Sequence, residues 1–346
     1  MRYYFGLDAL RASMMLLGLL IHAVYFMNTT EIYQPNESLQ IFSNFFTFFR
    51  MECFFILSGF LTAMLINKKG DKYLIKNRVK RVIIPFLSSF LVVSIIFNYI
   101  YEPDVFFNKG LAYYIQHLWF LITLAILSLL SISKVFKNFL YLNLNFFTKI
   151  FLLFVFYIGF RAIEIFIRNK VSPFFMELYI YTILKTSFFL IFYYIGCHFY
   201  KYCDLLNKIV ENKIIYGVGG LIFSIISSYI FYISEIQDVK LTTINLIIRN
   251  FSNFGTALCL SFFLFSIFYS INRSNKVIRF LVDSSLIVYV FHFPVLKVLN
   301  NIFKGYHFMS SSLYMLFLII STFLITVAIY FLLKQTSFTR KMFGYK

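Results

Sequence analysis

The sequence predicts an all-α fold: a polytopic membrane helix bundle of about ten transmembrane helices, one domain over residues 1–346, both termini cytoplasmic. Three observations carry this. Hydrophobic residues fill 60% of the 346 positions and aromatic residues 22%, at a mean hydropathy of +0.79. Charged residues make up only 13%, about half the share of a soluble domain. Apolar runs of about 20 residues recur along the whole length, each enough to cross a hydrocarbon layer. A soluble core of this size has no means of burying so much apolar surface. Water-soluble folds, disordered tails and nucleic-acid-binding modules are therefore excluded.

The apolar runs fall at 7–27, 42–66, 82–101, 117–133, 146–167, 179–200, 213–234, 243–271, 280–303 and 310–333. The placement of Lys and Arg tests that count. Alternate loops and the two tails hold 21 of the 32 basic residues, seven of them in a basic loop at 67–81. The opposite side holds five: Lys109, Arg168, Lys170, Lys240 and Lys304. The positive-inside rule makes the richer side cytoplasmic, and an even number of spans returns the C-terminus to it. Most of the formal charge of +18 is thus a topology signal and calls for no nucleic acid. The first run lacks a small-residue cleavage site and is expected to remain as a helix. Cys53, Cys197, Cys203 and Cys259 are scattered without metal-ligand spacing, so no metal is expected.

Ionisable groups inside spans are costly, which makes each a candidate functional residue. The first span carries Asp8, Arg11 and His22. Arg11 and His22 are 11 residues apart, about 16–17 Å and nearly a whole number of turns, so they share a face. Asp8 lies one turn before Arg11, where it can fix the guanidinium. An interfacial anchor with a bundle-bonded histidine is the bland reading of these three. The second span brings Arg50 and Glu52 to about the depth of His22, followed by Ser58 and Gly59, small residues that also suit close helix packing. The basic stretch with Lys76, Arg78 and Arg81 suits anionic lipids or a phosphate-bearing molecule. His117 and Trp119 open the fourth span, Arg161 and Glu164 form an i,i+3 pair in the fifth, and His292 lies near mid-membrane in the ninth. Lys185 and Lys297 are read as snorkelling, Arg249 as lying near the outer surface, His198 and His307 as interfacial, and Asp283 as a helix cap.

Taken in order, five blocks resemble the acyltransferase-3 family of integral-membrane acyltransferases. They are Leu7-Asp8-Ala9-Leu10-Arg11 with His22; Phe54-Phe55-Ile56-Leu57-Ser58-Gly59-Phe60; Arg78-Val79-Lys80-Arg81 with Pro85; His117-Leu118-Trp119-Phe120-Leu121; and Tyr289-Val290-Phe291-His292-Phe293-Pro294. The Phe49-Arg50-Met51 lead-in and the tail Phe338-Thr339-Arg340-Lys341 are most similar to the glucan succinyltransferase branch. Glu52 departs from that branch, where an uncharged residue is expected, so acetyl and succinyl both stay open as the acyl group.

The resemblance implies a multi-pass protein of the bacterial cytoplasmic (inner) membrane. It would transfer an acyl group from cytoplasmic acyl-CoA, acetyl-CoA or succinyl-CoA, to a hydroxyl of an extracytoplasmic glycan. Acyl-CoA would be a co-substrate, with no tightly bound cofactor. On this reading Arg78, Arg81 and Lys76 meet the CoA phosphates, Arg11 guides the pantetheine arm, and Ser58 and Gly59 lie along its path. His22 serves as general base, since imidazole titrates near neutral pH. An acyl-histidine intermediate is the mechanistic alternative. Glu164 or Glu52 would orient the imidazole, and Trp119 or Ser58 would meet the oxyanion. Arg50, with Glu52, His117, Arg161 and His292, would contact acyl group or acceptor, Arg50 taking a succinyl carboxylate. Membrane lipids are further partners, and a homo-oligomer is compatible with the sequence. The competing reading is a non-enzymatic glycan or lipid-linked sugar transporter or flippase, which intramembrane charges also fit. Against it stand the absence of an internal repeat and of paired broken helices.

Overall fold

The computed structural model describes residues 4–101, 115, 117–168, 170–271, 275–306 and 309–344, and the regular structure among them is helical. In chain order the α-helices are α1 (Phe5–Met27), α2 (Glu37–Thr47), α3 (Arg50–Arg78), α4 (Ile84–Ser89), α5 (Phe97–Tyr101), α6 (Trp119–Leu130), α7 (Lys134–Tyr141) and α8 (Phe146–Ile167). They continue as α9 (Pro173–Tyr179), α10 (Lys185–Lys201), α11 (Cys203–Glu211), α12 (Lys213–Phe231), α13 (Thr243–Tyr269), α14 (Lys276–Phe303), α15 (Ser311–Gln335) and α16 (Ser337–Met342). Short π-helical segments, such as Val79–Ile83 and Ile180–Leu184, join several of them.

Among the described residues, eight helical stretches are long and apolar enough to cross a membrane, or nine if a bent pair counts as one. One stretch, Glu37–Tyr99, has 63 residues. At 1.5 Å per residue that is about 95 Å, far more than one crossing of about 30 Å. It is interrupted at Gly70, whose φ of 77° belongs to the left-handed region that glycine tolerates. Dividing it there brings the count to the expected ten.

Three expectations are corrected in detail. The span expected at 42–66 is two helices, because the chain turns at 48–49 and restarts as α3 at Arg50. The stretch expected as a loop at 67–81 is helical on both sides of Gly70, and folds back there. Arg78 proves the reversal: its Nη2 donates to Thr62 Oγ1 at 2.5 Å, although 16 residues of straight helix would separate them by about 24 Å. Third, the segment expected at 117–133 is shorter. α6 has 12 residues, about 18 Å, and turns by 73° into α7. Asp283 is also not a cap: it lies exposed inside α14, whose N-cap is Asn275, accepting from the Val277 N–H at 2.8 Å. Lys109 and His307 fall outside the described residues.

The chain forms two compact units. The first comprises Met1–Phe54 and Asp204–Phe331. Here α1 packs along α14 and α13. Gly6 faces the carbonyl of Phe268, and no larger residue fits there. Leu19, Ala23, Phe26 and Met27 of α1 meet Leu296 of α14 and Tyr314 and Leu318 of α15 in one apolar cluster. A polar clamp closes the end of that cluster. Asn300, fully buried, donates to Phe26 O and Thr29 Oγ1, each at 3.1 Å, and accepts from Tyr314 Oη at 3.0 Å. Replacing it takes away the acceptor of the buried Tyr314 hydroxyl, while Phe26 O keeps its bonds from the Thr29 N–H and hydroxyl. Asn300→Leu is expected to cost about 2 kcal/mol, read as a lowered unfolding midpoint in detergent. An unchanged midpoint would show that the clamp does not stabilise the unit.

The second unit comprises Phe55–Cys203 and Leu332–Lys346. Its centre is the crossing of α3 and α10, at two glycines. A side chain on Gly59 would collide with the backbone carbonyl of Tyr193, and one on Gly196 with that of Ile56. The backbones therefore touch, and Cys197 Sγ, buried at the crossing, donates to Gly59 O at 3.3 Å. Phe55 stacks on Phe189 at 4.6 Å beside the contact. At another end of this unit Lys137 of α7 meets Asp71 at 2.6 Å.

Candidate active site

The first unit assembles a polar site on the shared face of α1. Asp8 lies 3.1 Å from Arg11, the one-turn pairing that the spacing predicted. Gly18 follows, and His22 comes one turn after it, about 6 Å further along the axis. The His22 ring faces His292 of α14, with centroids 5.2 Å apart, and meets Phe293 edge-on at 5.4 Å. His292 is buried, and its Nδ1 lies 2.5 Å from the carbonyl oxygen of Tyr289. A carbonyl only accepts, so Nδ1 of His292 carries a proton in this contact.

Arg50 enters the same region from the first turn of α3. Its guanidinium lies against Gly18, where any side chain would collide with Nη1 and would come within 3.4 Å of Tyr289. Glycine at 18 is thus what lets a guanidinium lie between α1 and α14. Arg50 is 7% exposed and Glu52 8%. Among the described residues Arg50 Nε and Nη1 and Glu52 Oε2 have no hydrogen-bond partner. Glu52 sits in the first turn of α3, where the free N–H groups of a helix start favour a carboxylate. The break at 48–49 creates that helix start.

The remaining candidates belong to the second unit. Glu164, 1% exposed, is held on its own helix: one oxygen takes a hydrogen bond from Arg161 and the other from Arg168 Nη2, the latter at 2.5 Å. Both its oxygens are therefore engaged, and Arg168 joins a pair that the spacing limited to Arg161. Trp119 stacks on Phe189 at 5.3 Å and carries Lys185 Nζ 3.8 Å from its ring centroid. That contact, a cation over an indole face, replaces simple snorkelling for Lys185. His117 is buried. Arg78 is buried against Thr62, whereas Lys76 and Arg81 are exposed. Ser58 is buried and Gly59 packs against α10. Outside these, Arg249 pairs with Glu235 at 3.2 Å, and His198 is buried against Phe146 and Tyr202.

Of the residues singled out by sequence, the structure brings together His22, His292 and Arg50 in the first unit, with Asp8 and Arg11 further along α1 and Glu52 buried in the same turn of α3 as Arg50. Sequence reasoning passed over Tyr289 and Gly18. Tyr289 is three residues before His292, on the same helix face, and that spacing was a usable signal. Nothing local marked Gly18, since its role depends on an arginine 32 residues away.

The fold and the site define a multi-pass membrane protein with a polar, histidine-bearing site among its helices. The chain belongs to the acyltransferase-3 family: the family's acyltransferase domain matches residues 4–331. Among curated proteins it is similar to the glucans biosynthesis protein C of Salmonella typhi and of Salmonella typhimurium, each 34% identical over 149 residues. The same protein of Salmonella paratyphi B matches at 34% identity. Each of these matches covers 38% of this chain and 38% of the relative's length. No solved structure matches the chain.

Proposed function

We propose that the protein transfers an acyl group, acetyl or succinyl, from cytoplasmic acyl-CoA to a hydroxyl of an extracytoplasmic glycan, in the bacterial inner membrane. The observation that carries this is the facing pair of His22 and His292 beside the buried Arg50. A glycan acceptor is supported by the relatives' role in glucan biosynthesis, as their name states it. The basic excess of the 67–81 segment, including exposed Lys76 and Arg81, suits CoA phosphates at the cytoplasmic side. Arg11, steadied by Asp8 and lying between the start of α1 and His22, suits guiding the pantetheine arm.

A hydroxyl is a poor nucleophile near neutral pH and gains from losing its proton as it attacks. His22 takes that proton, the acceptor oxygen bonds to the thioester carbonyl carbon, and the carbon–sulfur bond breaks. The CoA sulfur leaves as thiolate and takes up a proton. His292 is the neighbour that steadies or relays the His22 proton. We give it the orienting role for which Glu164 and Glu52 were the candidates, since its ring faces that of His22 at 5.2 Å.

The test is release of free CoA by purified protein in nanodiscs, with labelled acetyl-CoA or succinyl-CoA and glucan supplied in turn. Glucan-dependent release with label on the glucan is the expected result. Label retained on the protein without glucan would replace direct transfer by an acyl-histidine route. No CoA binding or turnover with either donor would overturn the acyltransferase reading of the donor and favour a flippase.

A further inference from the structure

The second unit holds a cavity that none of the sequence motifs marked. Its volume is about 320 Å³, at the lower end of the range for small-molecule pockets. It lies where α3 before its break at Gly70, α7 and the last turn of α10 come together. Cys197, bonded to Gly59 O at the helix crossing, forms part of its wall. α7 and the end of α10 fall on the side where basic residues gather, which the positive-inside rule makes cytoplasmic.

Two lysines here have no carboxylate partner among the described residues. Lys201 lines the cavity and lies over the rings of Tyr141 and Tyr202, 3.0 and 4.7 Å from their centroids. Lys149, only 1% exposed, donates to Leu140 O at 3.1 Å, and Leu140 is another lining residue. Lys137, the third, is held by Asp71 at 2.6 Å. One carboxylate therefore stands against three lysines, and buried charge is costly until a counter-charge arrives. A cation over a ring is held more weakly than one bonded to phosphate, so Lys201 can leave Tyr141 for an incoming anion.

The rest of the lining suits a purine. Tyr141 and Tyr200 supply aromatic surface, on which bases stack. Asn67 is exposed at the cavity, and its Nδ2 donates to Tyr200 Oη at 2.9 Å. Its amide oxygen is left to accept from an adenine amino group. Inorganic phosphate would use the lysines alone, and a phospholipid headgroup brings no planar base. The end of coenzyme A remote from the thioester carries both a purine and phosphates.

We propose that this cavity binds the phosphoadenosine end of acyl-CoA, with Lys137 and Lys201 on the phosphates and Asn67 on the adenine edge. The inference rests on the acyl-CoA reading above and gives the nucleotide a pocket of its own in the second unit.

The experiment is equilibrium binding to the full chain in nanodiscs of phosphatidylcholine alone. The probes are CoA, adenosine 3′,5′-bisphosphate and pyrophosphate. Wild type is expected to bind all three. K201Q should weaken each by about tenfold. N67L should weaken CoA and the bisphosphate by about fivefold and leave pyrophosphate unchanged, a split that a misfolded protein would not give. K213Q, at an exposed lysine of the first unit, should stay within about twofold of wild type. CoA binding unaltered by K201Q and N67L, or CoA binding without bisphosphate binding, overturns the inference while leaving acyl transfer from CoA in place. Displacement of the bisphosphate by phosphatidylglycerol added to the discs would give the cavity to a lipid headgroup and also overturn it. Absence of CoA binding by wild type overturns both.

Discussion

His22→Ala is expected to lower glucan-dependent CoA release by about 10³-fold, within the range of a lost general base. The argument is geometric. His22 lies on the α1 face that carries Asp8, Arg11 and Gly18, and its ring is turned to His292 at 5.2 Å. An alanine there removes the proton acceptor and leaves the helix intact, because alanine is the best helix former and His22 is only half-buried. The unfolding midpoint should therefore stay close to wild type, and binding of acyl-CoA should persist, so the loss falls on kcat. His292→Ala should cost less, on the order of 10-fold to 10²-fold, if it steadies His22 without itself receiving the hydroxyl proton. Retention of more than a tenth of wild-type release by His22→Ala would remove His22 from the chemistry. An equal loss in His292→Ala and His22→Ala would make the two histidines one functional unit.

The largest effect on folding is expected at the α3–α10 crossing. Gly59→Leu and Gly196→Leu should each abolish recovery of monodisperse protein. At both sites the new side chain meets backbone: the Tyr193 carbonyl in one case, the Ile56 carbonyl in the other. No rotamer relieves a collision that begins at Cβ, so the helices must move apart. Separation would open the contacts of Phe55, Phe192 and Cys197, all buried. Small residues at such crossings are the means by which helices associate in lipid, where packing replaces the hydrophobic drive. The loss should reach about 3–5 kcal/mol per site. Gly159→Leu is the internal control: nothing lies near its Cβ position, it is exposed, and the change should stay within about 0.5 kcal/mol. Folded Gly59→Leu protein with impaired CoA binding alone would return Gly59 to the binding role that its motif suggests.

The segment from Phe54 to Phe60 illustrates how much was legible. Its residues were conspicuous in the sequence, but the reason for Gly59 lies far along the chain, in the backbone carbonyl of Tyr193. Asp8 and Arg11 were readable as a pair because one helical turn joins them. The pairing of Arg161 with Glu164 was readable for the same reason, while the second arginine, Arg168, was assigned to a loop beyond the span. A reversal between 66 and 82 was expected, but the helical character of 67–81 on both sides of Gly70 and the bend after α6 escaped, because apolar runs report length and burial, not direction. A run of 17 apolar residues can turn midway without changing its composition.

By itself the sequence determined that this chain is a multi-pass helical membrane protein of the acyltransferase-3 family. It also determined which ionisable residues lie within the spans. Those properties follow from transfer of side chains out of water and from the helical period, both local. The tertiary structure alone decided that His22 meets His292, that Arg50 lies against Gly18, and that Glu164 is occupied by two arginines. A helical period tells which residues share a face. Which faces meet is settled by the packing of helices that are hundreds of residues apart, such as α1 and α14.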